Sequence, residues 1–225
     1  MPTATTPETA TLVRRLQPLD VCAVSDALDA CGIEGYVPTL VPLWEGARVV
    51  GTAVTTKLDS GPPPAGMPPV HLGARAIEAA GPGDVIVVDN DGRDTMGSWG
   101  GLLSLAASLR GVAGVVTDGA CRDVDEARQM AFPVFARRGV APTARGRVHE
   151  SSCNEPVRLA GVTVRPGDIV MADGSGVVVV PVDRAEEVVA RAEHIARREA
   201  AMQERLRKGG TVSEVLGASY EHMLD

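Results

Sequence analysis

The chain has 225 residues, 44% hydrophobic and only 3% aromatic, enough for one substantial core of strands packed on small-residue helices and short for two domains. Its net charge of −7, with no block of five or more like charges, argues against nucleic acid as a direct partner, because backbone binding needs a cationic surface. No run reaches 18 apolar residues and no apolar segment follows a basic start, so the expectation is a cytoplasmic protein with no membrane span.

Residues 1 to 7 carry no periodic apolar pattern and are expected to be flexible. Leu12, Val13 and Leu16 stand at helical spacing and predict a helix over 8–17. Asp20 is a suitable N-cap for a second helix that stops at Gly32. Within it, Asp26 reads either as a solvated or capping carboxylate or as a functional one. Cys22, Cys31, Cys121 and Cys153 form no CxxC and no zinc-like spacing, which predicts reduced, buried, small hydrophobes.

Gly46 to Leu58 reads as a strand whose central glycine marks a bulge. The following GPPPAGMPP must be a loop, since proline neither continues a helix nor donates to a sheet; it is long enough for a lid or an interface segment. His71 to Ala80 returns to helix. Two segments then echo each other: PGDVIVVD over 82–89 and PGDIVMAD over 166–173. In each, a Pro-Gly turn with an aspartate launches a short buried strand that ends in another aspartate. The second copy runs through Gly174-Ser-Gly into VVVVP as a tight hairpin, so the sheet is expected to be mixed.

Asn90 to Gly101 is polar and glycine-rich, and it opens a helix, LLSLAASLR. Glycines there let free helix-start amides approach a small carboxylate, though such a turn also serves plain tight packing. The loop lacks the lysine of GxxxxGK[ST] and the spacing of GxGxxG, which disfavours ATP and NAD. Val112 to Val116 is a β-branched buried strand ending at the Asp118-Gly119 turn. Two residues later Arg122 and Asp123 stand at the start of the helix RDVDEARQM. An aspartate at the carboxyl end of a strand can bind a hard divalent ion, and an arginine can grip a carboxylate or stabilise an enolate oxygen. The competing interpretation is a dipole-favouring aspartate beside a surface ion pair.

FPVFAR gives a short strand, followed by a loop over 139–155. Asp183 to Lys208 is a long charged helix with Val188, Val189, Ala192, Ile195 and Ala196 on one face, the start of a C-terminal helical segment over 183–225. Glu199 and Glu204 on its polar face meet either solvent or a neighbouring subunit. His71, His149, His194 and His222 form no HExxH or triad pattern, and Ser98, Ser104 and Cys121 have no activating base. Covalent catalysis is therefore not expected, and neither is a Schiff base on Lys57.

Read together, WGGLLSLAASLRGVAGVVTDGACRDVDE, PVFAR and VRPGDIVMADGSGVVVVP resemble the RraA-like family. That family includes class II 4-hydroxy-4-methyl-2-oxoglutarate/4-carboxy-4-hydroxy-2-oxoadipate aldolases and the ribonuclease E regulator RraA. The resemblance covers roughly residues 20 to 205. It implies an α/β fold, a swivelling β/β/α sandwich with a mixed central sheet, assembled as a homotrimer or a dimer of trimers. It also implies a lyase that cleaves small 2-oxo acids to pyruvate, as an aldolase or an oxaloacetate decarboxylase. By position, Asp123 is implied to bind Mg2+ or Mn2+, and Arg122 to contact the pyruvyl oxygens. The turn at Gly100 and Gly101, with the amides of Leu102 and Leu103, is implied to hold the pyruvate carboxylate. Glu199 matches a carboxylate given by the adjacent subunit. The family aldolases carry D-x20-R-D, whose first aspartate falls on Gly101 here. That departure keeps a second reading open, a non-catalytic regulatory or binding protein. It also predicts that decarboxylation survives better than retro-aldol cleavage, and that Gly101→Asp raises the latter.

Overall fold

The computed structural model describes residues 6–66 and 70–216. Most of the amino-terminal segment expected to be flexible, residues 67–69 of the proline-rich loop, and everything from 217 on, including His222, lie outside the described residues. Helices α1 (Pro7–Leu16) and α2 (Val21–Ala30) open the chain. Each starts at a side-chain cap, with Thr6 accepting from the Thr9 N–H and Asp20 from the Ala23 N–H. Then follow β1 (Tyr36–Val37), β2 (Val41–Pro42), β3 (Val49–Ser60), α3 (Ala74–Ala79), β4 (Asp84–Asp89), β5 (Gly97–Trp99), α4 (Gly101–Leu109), β6 (Gly114–Thr117), β7 (Ala120–Cys121) and α5 (Val124–Gln129). The carboxyl-terminal part holds β8 (Val134–Ala136), β9 (Val148–Cys153), β10 (Val157–Leu159), β11 (Val162–Val164), β12 (Ile169–Asp173), β13 (Gly176–Val180), α6 (Ala185–Arg207) and α7 (Val212–Val215).

The main sheet runs β1-β13-β12-β3-β4-β6-β8-β2, with β9 paired to the distal half of β3. Pairings β3-β4, β4-β6 and β6-β8 are parallel and the others antiparallel, which is the mixed sheet expected. The buried strands read as near-continuous β-branched runs because both faces are covered. Val54, Leu58, Ile86, Val88 and Val115 face α3, α4 and α5, whereas Val50, Ile169, Met171 and Val178 face α1, α2 and α6. Between them, Val85, Val87, Val116, Phe135 and Val170 point to the opposite face, which curls on itself and packs on the hairpin β10-β11. Among the described residues no helix is long and apolar enough to cross a membrane.

The echoed motif is one device built twice. Gly83 and Gly167 turn with φ of 85° and 93°. The aspartates that follow clamp the turns, Asp84 accepting from the Gly81 N–H at 2.8 Å and Asp168 from the Arg165 N–H at 2.7 Å. Asp89 and Asp173 accept from the amides two residues on, Asp91 at 2.9 Å and Ser175 at 2.8 Å.

Four expectations change. Gly51 does not mark a bulge: a Cβ there would overlap the Gly83 carbonyl oxygen, and the irregularity in β3 falls between Lys57 and Leu58. The stretch read as a loop over 139–155 contains β9, whose polar composition hid a strand that pairs with β3. The helix expected over 71–80 is confined to α3. Finally, Cys121 alone of the four cysteines is fully buried, while Cys22 is exposed.

Candidate active site

Strands β5 and β7 pair in parallel, Gly97 opposite Ala120 and Trp99 opposite Cys121. Their carboxyl ends therefore stop side by side. One delivers the first turn of α4, and the other delivers Arg122 and Asp123, with the Arg122 N–H donating to the Trp99 carbonyl at 2.9 Å. Gly97 is required for this approach, since a Cβ there would overlap the Arg122 side-chain stem.

Asp123 is the N-cap of α5 but makes no capping bond to its own helix. Its backbone is left-handed (φ 56°), a conformation aspartate tolerates better than most residues. The carboxylate turns instead to the start of α4, where Oδ2 accepts from the Gly101 N–H at 2.9 Å. The Arg122 guanidinium lies 3.9 Å from Asp123 Oδ1, both side chains more than one-third exposed. The pair is thus a loose, partly exposed ion pair at the start of α5, and the Asp123 carboxylate also ties that start to the first amide of α4. Arg122 Nε is buried and has no hydrogen-bond partner among the described residues. Gly100, the N-cap of α4, has no side chain to offer, and Asp123 takes only the Gly101 amide; the amides of Leu102 and Leu103 bond to no group in the described residues, leaving two donors at the positive end of the helix dipole.

These groups line a cavity of about 710 Å3, together with Arg75, Trp99, Arg145, His149 and Glu150. Pro63 and Val70 reach it from the proline-rich loop. The isolated bridge Gly97–Thr143, and the bond from the Gly97 N–H to the Pro142 carbonyl at 3.0 Å, bring in the segment that carries Arg145. Of the predicted site residues, the cavity gathers Gly100, Gly101, Leu102, Leu103, Arg122 and Asp123. Glu199 lies elsewhere on α6, where burial, then Asp20 and Asp26, push its carboxyl above the usual range. Asp26 is raised by the same combination of burial and neighbouring carboxylates, Asp29 and Asp20. Burial also pushes the Cys121 thiol up to about 12, which removes it as a nucleophile at neutral pH.

One residue was not singled out from the sequence. A Cβ built on Gly101 would overlap a carboxylate oxygen of Glu126, and would lie 3.1 Å from Asp123 Cβ. Glu126 thus places a carboxylate where a side chain at position 101 would stand. It sits one turn into α5, three residues after Asp123, on a face that sequence alone reads as solvated. Only the pairing of β5 with β7 brings α4 and α5 together.

The chemistry of the donor set suits a hard cation. Among the described residues no three His, Cys, Asp or Glu side chains gather into a cage, but a small divalent ion is commonly held by one or two carboxylates with water completing the shell. Asp123 offers one such carboxylate at the cavity, and Glu126, which does not itself line the cavity, places a second against Gly101.

The chain is 35% identical to protein DlpA of Legionella pneumophila over 92% of its own length, which is 34% of the length of that longer protein. It is 34% identical to a Halalkalibacterium halodurans protein bearing a provisional 4-hydroxy-4-methyl-2-oxoglutarate aldolase name, covering 80% of this chain and 81% of that one. Among solved structures, Streptomyces coelicolor RraAS2, described as an unusual member of the RNase ES inhibitor RraA protein family, superposes with a TM-score of 0.79 at 29% identity, over 87% of this chain and 98% of that one. The Aldolase/RraA family profile matches residues 21–179, and the chain belongs to the RraA-like family.

Proposed function

We propose that this protein is a divalent-metal-dependent lyase that cleaves a C–C bond in a small 2-oxo acid to release pyruvate, by aldol cleavage of a 4-hydroxy-2-oxo acid, by oxaloacetate decarboxylation, or both. The observation that carries this reading is the convergence of the Leu102 and Leu103 amides, the Arg122 guanidinium and the Asp123 carboxylate on one cavity wall, with the Glu126 carboxylate against Gly101. Asp123, with Glu126 beside it, would hold Mg2+ or Mn2+, which when bound supplies Lewis-acid stabilisation of an enolate oxygen.

The protein's own groups supply the rest. The Leu102 and Leu103 amides, at the positive end of α4, bind the substrate's C1 carboxylate. Arg122, whose side chain is partly exposed and lines the cavity, meets the C2 keto oxygen through its guanidinium. When C3–C4 breaks, its electron pair passes into C2–C3 and onto the keto oxygen, where Arg122 balances the charge. The proton of the C4 hydroxyl passes to a Glu126 carboxylate oxygen, directly or through water. In oxaloacetate the departing group is CO2 and no hydroxyl proton moves. In both reactions C3 of the enolate then takes a proton to give pyruvate, from the protonated Glu126 carboxyl after aldol cleavage and from water after decarboxylation.

The non-catalytic reading rested on the carboxylate missing at position 101. Glu126 stands in that place, which supports the lyase reading. A trimer or dimer of trimers is proposed as the assembly. Its support is the stripe Leu102, Leu105 and Leu109 on α4, 83%, 44% and 80% exposed, beside the cavity. In such an assembly Glu199 is available to a neighbour's site.

The test is pyruvate release followed by coupling to lactate dehydrogenase, with 4-hydroxy-2-oxoglutarate and oxaloacetate as substrates. Activity is expected with Mg2+ or Mn2+, abolished by EDTA and restored by the metal. Arg122→Ala is expected to lower kcat by about 10²- to 10³-fold, the scale of losing one charge-stabilising donor. Turnover that ignores EDTA, or none on either substrate, overturns the proposal.

A further inference from the structure

A second charged feature of the cavity is unused by the chemistry above. Glu150 on β9 is buried, its side chain only 2% exposed. It is held by the Thr56 hydroxyl, which donates to Oε1 at 3.0 Å, and by the Gly73 N–H, which donates to Oε2 at 3.1 Å. A carboxylate taken out of water to this degree is costly unless it is paired, and its cationic neighbour is Arg75. The pairing is loose: Arg75 Nε lies 3.5 Å from Glu150 Oε1, and Nη2 donates to the Glu150 carbonyl at 3.0 Å. Arg75 keeps 41% of its side chain exposed and lines the cavity. Of the five N–H donors in its fork, those left over have no partner among the described residues.

This corner adjoins the catalytic wall. A Cβ on Gly73 would lie 3.1 Å from the Trp99 ring and 3.5 Å from Leu103. The backbone that donates to Glu150 therefore packs against the residues on either side of Gly100-Gly101. Arg75, Arg122 and Arg145 outnumber Asp123 and Glu150 around the cavity, in a chain whose net charge is −7.

We infer that Arg75, aimed by the buried Glu150, is the residue that receives the distal carboxylate of the 2-oxo dicarboxylic acids proposed above as substrates, and so sets their preference over 2-oxo monocarboxylates. This assignment rests on the 2-oxo acid reading above and adds a specificity residue to it. Arg75 binds the distal anion, and Glu150 is a positioning residue that fixes the guanidinium.

The test is calorimetric titration of the Mg2+-loaded protein with 2-oxoglutarate and with 2-oxopentanoate, which has the same number of carbons and lacks the distal carboxylate. Wild type is expected to bind 2-oxoglutarate about 10- to 100-fold more tightly, the range for hydrogen bonds to a charged group. Arg75→Met should erase that preference while leaving 2-oxopentanoate affinity as it was, and Arg75→Lys should keep part of it. Glu150→Gln should weaken 2-oxoglutarate alone. A preference that persists in Arg75→Met, or no preference in wild type, overturns the inference and identifies the pair as a tie between α3 and β9. If neither acid binds, the 2-oxo acid reading falls and takes this one with it. Binding with the stated preference but no pyruvate from 4-hydroxy-2-oxoglutarate removes only the lyase step.

Discussion

Glu126 and Gly101 compete for one volume, and that decides what a substitution at either position can do. Glu126→Gln keeps the shape and removes the proton acceptor. It is expected to lower kcat for 4-hydroxy-2-oxoglutarate by about 10²-fold or more, the usual contribution of general acid–base catalysis. Oxaloacetate decarboxylation, which moves no hydroxyl proton, should fall far less, and equal losses on both substrates would contradict this role. Gly101→Asp, expected from sequence alone to raise cleavage, displaces only the far end of the exposed, flexible Glu126 side chain but sets a second carboxylate against it, and alone it should not help. The double variant Gly101→Asp/Glu126→Ala removes the overlap and returns a carboxylate from the other helix, so cleavage should exceed that of Glu126→Ala alone. Arg122 and Asp123 were legible in the sequence because the strand that carries them ends in a turn and a charged pair. Glu126 was not, because its partner is set by a contact 25 residues away between two helix starts.

At the scale of elements, the legible ones were those whose apolar pattern is strong: α1, α2, β4, β6, β12, β13 and α6. The missed ones are short or polar. β9, VHESSC, buries Glu150 and a single aliphatic side chain, Val148, and β7 has only two residues. Both matter to the site, since β7 delivers Arg122 and β9 delivers Glu150. The seam between α2 and α6 gathers partly buried like charges: burial, then Asp20 and Asp26, disfavour the ionised state of Glu199, and burial, then Asp29 and Asp20, that of Asp26. The folded Glu199 carboxyl is raised above its unfolded value. Folding therefore binds protons more tightly there, and stability is lost as pH rises through the carboxylate range. Glu199→Gln is accordingly expected to raise Tm at pH 7, with the advantage shrinking as pH falls toward the unfolded carboxylate pKa of about 4. Thermal melts at several pH values check this, and a variant less stable than wild type at pH 7 would contradict it. Should Glu199→Gln also lose activity, the carboxylate is retained for a neighbour's site at the expense of its own fold.

The whole molecule presents one feature that a lone chain leaves unexplained, the leucine stripe of α4. Leu102, Leu105 and Leu109 stand at helical spacing on the element that forms a wall of the cavity. Covering side chains of this size is worth about 1.5–3 kcal/mol each, so a neighbouring subunit is their natural cover. Leu105→Glu with Leu109→Glu should reduce the mass in solution, measured by light scattering, to that of one chain, with helix content retained. An unchanged mass would place the subunit contact elsewhere. Such an assembly would set the cavity beside an interface.

The central claim is that a cation and a 2-oxo acid meet on the wall built from Arg122, Asp123 and the start of α4. Crystals grown with Mn2+ and pyruvate test it most directly through anomalous diffraction. The expected result is a manganese peak on the Asp123 carboxylate, with the pyruvate carboxylate against the Leu102 and Leu103 amides and its keto oxygen facing Arg122. Manganese bound away from Asp123, or Asp123 bonded only to Gly101 and Arg122 in saturating metal, would contradict it.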